Sequence, residues 1–178
     1  IFDINMRGTM YMTQAVVPHM RAQRSGSIVN MSSVSAQRGG GVFGGSHYSA
    51  AKAAVLGYTK AAARELGPDN VRVNAICPSF IDTDITAGMM TADKLAAIVA
   101  GVPLGRPGHA HEVAGCVLFL ASDLASYLTG LGEREAVPGG HADEGALACL
   151  ALAEAVDVAA GAEAAEFVLK PCDFLKHG

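Results

Sequence analysis

Two short β-branched runs, SIVNMSS at 27–33 and VRVNAI at 71–76, flank a stretch from Ser46 to Leu66 with the length and composition of a helix. Strands that alternate with longer helices indicate a parallel sheet with helical crossovers, the α/β class. The first run is bounded by Gly26 and by the glycine cluster at 39–45, and the second is closed by CPSF. Upstream, Met6, Met10, Thr13, Val17 and Met20 recur at three- and four-residue steps, which predicts an amphipathic helix ending near RAQRSGS. Downstream come a loop, a helix near 91–100, a turn at VPLGRPG and a helix over His111 to Ala121. With 178 residues, 51% of them hydrophobic, the chain can build the core of one domain.

The charge balance narrows the partners. A formal net charge of −4, with thirteen Lys and Arg scattered along the chain, lacks the clustered positive field that nucleic acid or an anionic membrane requires. The apolar run around Val117 to Ala121 is far shorter than the roughly 20 residues of a membrane helix. Cys77, Cys116, Cys149 and Cys172 are too widely spaced for a redox pair or zinc knuckle. They read as small buried hydrophobes in a reducing compartment, which favours a cytoplasmic location. No targeting segment is visible, and the chain opens at Ile1 directly on a helical pattern, as expected of a stretch lying inside a longer protein.

SHYSAAKA, residues 46–53, carries the chemistry. Tyr48 and Lys52 stand four apart, so on a helix the phenol and the ammonium share one face. A free tyrosine titrates near roughly 10, and a cation held close favours the phenolate and lowers that value. The pair then suits proton exchange with a C–OH or C=O group. An alanine-rich helix with one snorkelling lysine is the structural alternative. The neighbours tip the balance: NMSS ends the preceding strand with Ser33, and NAICPSFIDT leaves the next strand as a polar loop at the same expected edge. Open α/β sheets bind ligands at the carboxyl ends of their strands.

Asn5, IVNMSS at 28–33, YSAAK at 48–52, NAICPSFIDT at 74–83, VPLGRPG at 102–108 and FLASDLASYLTG at 119–130 occur in one order and spacing. In this the chain resembles the short-chain dehydrogenase/reductase family, close to its 3-oxoacyl-acyl-carrier-protein reductases and related alcohol or sugar dehydrogenases. The resemblance implies a Rossmann-like doubly wound parallel sheet, of which residues 1–130 are the C-terminal part. It also implies that Tyr48 is the general acid/base and that Lys52 tunes it and hydrogen-bonds the nicotinamide ribose. Ser33 would hold the substrate oxygen and Asn5 would order a proton-relay water. Pro78, Ser79, Ile81 and Thr83 would line the nicotinamide of NAD or NADP, while Ser32, one residue early, is structural. The implied reaction interconverts a secondary alcohol and a ketone.

Departures from the family pattern set the alternatives. The TGxxxGxG turn that receives the pyrophosphate is missing, and the GxGxxG hit at Gly39 to Gly44 belongs to the loop between Ser33 and Tyr48, where a substrate-side role fits better. Ser79 replaces the usual glycine after Pro78. Residues 131–178 form an atypical, alanine-rich tail, expected to be helical and broken at Gly161, with VPGG as a degenerate remnant of the family's final turn. A non-catalytic truncated fragment, unable by itself to hold the dinucleotide, is therefore the second reading. HAHE at 109–112 lacks further ligands, so no metal is expected. Arg24 falls where a reductase grips an acidic carrier, but Asp69 stands where a second basic residue belongs. A substrate on acyl carrier protein is thus left open but not favoured, and a small free hydroxy or keto compound fits at least as well. The stripe Ala50, Ala54, Gly57 and Ala61 on the Tyr48 helix matches the face through which the family commonly forms homo-oligomers.

Overall fold

The computed structural model describes residues 1–40, 44–85 and 90–132. The tail from 133 onward, including the VPGG remnant and Gly161, lies outside the described residues. The chain opens with a π-helical turn at Asp3–Arg7 that runs into helix α1, Gly8–Gln23. Strand β1 is Gly26–Met31, followed by a one-turn helix α2 at Ser35–Arg38 and the 21-residue helix α3 at Ser46–Leu66. Strand β2 is Val71–Ile76. A two-residue strand β3, Ile81–Asp82, a helix α4, Ala92–Val99, a two-residue strand β4, Gly108–His109, and helix α5, Ala110–Ala121, complete the order. The π turn, α2, β3 and β4 have no periodic signal in the sequence, because each is too short to show one.

Strands β1 and β2 pair in parallel from Gly26 opposite Val71 to Met31 opposite Ile76. Ala75 also forms a parallel bridge with Gly132, its N–H donating to the Leu131 carbonyl at 2.7 Å. Since β1 occupies the other side of Ala75, the segment at 130–132 extends the sheet beyond β2. This bridge falls at Gly132, within the segment expected to be atypical from Leu131 onward. β1 ends two residues earlier than the β-branched run suggests; Ser32 N–H still bonds the Ile76 carbonyl of β2, and Ser33 leaves the ladder.

Alternation along the strands separates two cores. Val71 and Val73 pack with Ala62, Ala63 and Leu66 of α3, joined by Ile28 and by Val17 and Met20 of α1. Ile76 packs on the opposite face with Leu120 and Ala125, joined by Val29 and Val113. Helices therefore cover both faces of the parallel pair, as in a doubly wound sheet. Alanines on the inner face of α3 let the helix approach β2 closely, and Ala51 and Val55 are fully buried.

The buried Asn30, Thr59 and Asn74 side chains within this layer are paired, as burial demands. The Asn30 side-chain amide donates to Thr59 Oγ1 at 2.9 Å, and that hydroxyl donates to the Val55 carbonyl at 2.8 Å. Asn74, fully buried, donates to the Leu128 carbonyl at 2.8 Å and accepts from Leu131 N–H at 3.1 Å, which holds the segment bridged to β2. Arg72 donates to the Leu120 and Ser122 carbonyls, placing a cation at the C-terminus of α5, where the helix dipole favours one. Two expectations are corrected. Cys116 is exposed, because α5 turns one face outward, and Cys77, just past the end of β2, is only half-buried. No helix among the described residues is long and apolar enough to cross a membrane.

Candidate active site

The end of β1 is tied to the start of α3 by side chains. Ser32, buried, donates from Oγ to the Lys52 carbonyl at 2.8 Å, while its N–H bonds the Ile76 carbonyl at 2.8 Å. This is the structural role expected of Ser32, and it brings the next residue, Ser33, to the edge of the sheet. Ser33 Oγ accepts from Ser35 N–H at 3.2 Å, a local serine turn that starts α2.

Helix α3 begins after Gly45, whose extended backbone and carbonyl receive the N–H groups of Tyr48 and Ser49 at 3.1 Å. Tyr48 therefore sits in the first turn, with its ring facing the loop. Gly44 packs directly on that ring: a Cβ there would overlap Tyr48 Cδ1. Lys52, one turn on, folds back so that Nζ donates to the Met31 carbonyl at 2.9 Å and lies 5.8 Å from the centre of the Tyr48 ring. Burial pushes the Lys52 ammonium below the ordinary lysine range, and the nearby Cys77, as a thiolate, pulls it back up.

Ser33 and Tyr48 open on one cleft of about 470 Å³, whose far wall is the loop after β2 and the end of α4. Ser79 and Ile81 also line it. Asn5, Lys52, Pro78 and Thr83 do not. Lys52 stands behind Tyr48; Pro78 accepts from Val34 N–H at 3.2 Å and so ties the loop to the end of β1. Asn5 lies in the π turn, packed against α3, its side-chain amide donating to the Ile1 carbonyl at 3.1 Å. Thr83 follows β3. Arg38, Phe80, Ile98 and Val102 complete the wall without having been anticipated. Phe80 adjoins expected positions, and Ile98 and Val102 continue the apolar spacing of α4; Arg38 gave no signal beyond its charge.

The far wall is held from below. Ile81 pairs with Gly108 across β3 and β4, and Gly108 N–H donates to the Phe80 carbonyl at 3.0 Å. Arg106 grips Glu112 through both carboxylate oxygens, at 2.8 and 2.6 Å, and Glu112 accepts the His109 N–H at 2.8 Å. These bonds hold the Glu112 carboxyl down to about 2, Arg106 contributing most. The HAHE stretch is thus the first turn of α5 closed by a capping box. The GxGxxG segment follows α2 rather than a strand, outside the setting of a pyrophosphate-binding turn, and its residues 41–43 lie outside the described residues.

Residues 1–140 match the family described as enoyl-(acyl carrier protein) reductase. An uncharacterized short-chain type dehydrogenase/reductase of Sinorhizobium fredii is 57% identical over 130 residues, 73% of this chain and 51% of that protein. The 3-oxoacyl-[acyl-carrier-protein] reductase of Thermotoga maritima is 46% identical over 133 residues, 73% of this chain and 52% of that protein. Among solved structures, a 3-oxoacyl-[acyl-carrier protein] reductase from Brucella melitensis with bound NAD superposes with a TM-score of 0.67 at 38% identity. That match covers 74% of this chain and 47% of the other. The chain spans about half the length of the curated relatives it matches.

Proposed function

The chain belongs to the short-chain dehydrogenase/reductase family, and on that premise we propose that it serves an NAD(P)-dependent oxidoreductase acting on a secondary alcohol or ketone. The observation that carries this reading is the convergence of Ser33 and Tyr48 on one cleft, with the Lys52 ammonium behind the Tyr48 ring. The residues present suit the nicotinamide end of a dinucleotide: a cleft at the carboxyl end of β1 and β2, bordered by Ser79, Ile81 and Tyr48. Pro78 and Thr83 flank the same loop, and Lys52 would reach the ribose. Bound NAD or NADP supplies or accepts the hydride.

Proton chemistry falls to the chain itself. Ser33 Oγ donates to the substrate oxygen and holds it against Tyr48 Oη. In reduction Tyr48 Oη gives its proton to that oxygen, and in oxidation takes it back. The Lys52 ammonium stabilises the negative charge left on Tyr48, at closer effect than in water because it is half-buried. Asn5, on the π turn against α3, would order water on the proton's route, as the family resemblance implies. A π turn inside a helix is a frequent mark of a functional position.

A small free hydroxy or keto compound fits better than a substrate carried on acyl carrier protein. Asp69 holds both Arg21 and Arg24, at 2.8 and 2.9 Å, so the basic residue suited to an acidic carrier is already paired. The outward face of α3 supports self-association: Ala50, Gly57 and Ala61 are exposed, with Ala54 half-buried.

The chain's span of about half its relatives favours a second reading, a non-catalytic fragment that keeps this geometry without gripping the dinucleotide. Titration with NADH and NADPH, followed by nicotinamide fluorescence, separates the two. Saturable binding together with turnover of a secondary alcohol supports the enzyme; a folded sample that binds neither nucleotide supports the fragment.

A further inference from the structure

Arg38 has no part in the proton chemistry above, yet it lines the same cleft as Ser33 and Tyr48. The remaining described lining is hydroxyl, glycine or apolar, with Val34, Phe80, Ile81, Ile98 and Val102 forming the apolar part. Arg38 is thus the one charged side chain among the described lining residues. Asp82 and Asp84 follow nearby in the chain but do not line the cleft.

A guanidinium stays protonated at any physiological pH, and its planar fork matches a carboxylate. An apolar wall beside it lowers the local dielectric and strengthens its pull on an anion. Arg38 interacts within the chain, but its five N–H donors leave capacity for a ligand. Ser33 precedes α2 and Arg38 ends it, so a single turn of four residues, roughly 6 Å long, separates their positions on the backbone. An anion held by Arg38 would therefore stand apart from an oxygen held by Ser33, by at least one intervening carbon.

Resting on the oxidoreductase reading, we infer that the cleft takes a hydroxy or keto acid, the free carboxylate held by Arg38 while Ser33 and Tyr48 hold the reacting oxygen. Phe80, Ile98 and Val102 then border the carbon chain between them. The reaction itself is unchanged: the carbonyl carbon gains hydride from the reduced nicotinamide, its oxygen gains the Tyr48 proton, and the carboxylate takes no part.

The test compares acetoacetate with methyl acetoacetate, which differ in the anion, in the native protein, Arg38→Gln and Arg38→Lys. Arg38→Gln should lower kcat/KM for acetoacetate about 10- to 100-fold, the effect of losing a charge-assisted hydrogen bond. The ester should change less than about threefold on the same scale, and Arg38→Lys should recover part of the loss. Equal effects on both compounds, or none on acetoacetate, would overturn the inference. A second arm needs no turnover: ligand-observed NMR of butyrate against butyramide. A preference for butyrate that Arg38→Gln abolishes supports the assignment; equal signals from the two probes overturn it. If neither ketone reacts, the oxidoreductase reading fails, and the butyrate arm still decides whether Arg38 binds carboxylates.

Discussion

The Lys52 ammonium donates to the Met31 carbonyl at 2.9 Å, so the last residue of β1 fixes the cation behind the Tyr48 ring. Strand, helix and candidate site are joined in this one bond. Lys52→Met keeps the aliphatic stem but removes the charge and the donor. Because Met31 is partly exposed, water replaces the lost bond and the melting temperature should move by no more than a few degrees. The loss of kcat should be about 100-fold or greater, the scale of general acid/base catalysis. Steady-state kinetics beside thermal melting checks the split.

Gly44→Ala tests the packing of the tyrosine. A methyl group there overlaps the ring edge, which must rotate or withdraw from the cleft. Expected is a fall in kcat of at least about tenfold, the sensitivity of catalysis to small misplacements, with stability nearly unchanged. Kinetics and circular dichroism on the same sample report both.

Thr59→Val addresses the core. Thr59 is fully buried, and its hydroxyl is the acceptor for the buried Asn30 amide. Valine fills the space and strands that amide, so unfolding free energy should fall by about 1–3 kcal/mol. Thr59→Ser should retain most of it. Urea denaturation of the two variants is the check.

Glu112 supplies a pH dependence with a defined sign. Its carboxyl titrates near 2 in the folded chain, against 4.5 ordinarily, because Arg106 and the His109 N–H favour the charged form. A depressed folded value means that the unfolded chain binds more protons in this window. The contribution is fully present above about 4.5 and is lost as the pH falls toward 2. Glu112 is well solvated, so the slope is shallow. Melting temperatures of Glu112→Gln should show a flatter acid dependence over this window than those of the native chain.

Much of this was legible in the residues. SIVNMSS and VRVNAI, with α3 between them, contain the parallel pairing, because β-branched runs and a long helical spacing have few other solutions. The i and i+4 placement of Tyr48 and Lys52 predicted a shared helix face, and the fold puts the ammonium behind the ring. What escaped detection depends on tertiary contact. Arg38, Phe80 and Val102 meet only because β3 and β4 pair and fold the loop back, and two residues of strand leave no periodic trace. The exposure of Cys116 escaped for the same reason, since an apolar helix does not announce which of its faces the sheet will cover.

The decisive measurement is the rate of nicotinamide-linked carbonyl reduction by Tyr48→Phe beside the native protein, with folding verified by circular dichroism. Phenylalanine preserves the ring and removes only the hydroxyl that carries the proton. The expected result is a loss of kcat on the order of 100- to 10,000-fold with KM little altered. A folded Tyr48→Phe protein that retains its rate would contradict the assignment of proton transfer to this residue, and with it the account of the cleft.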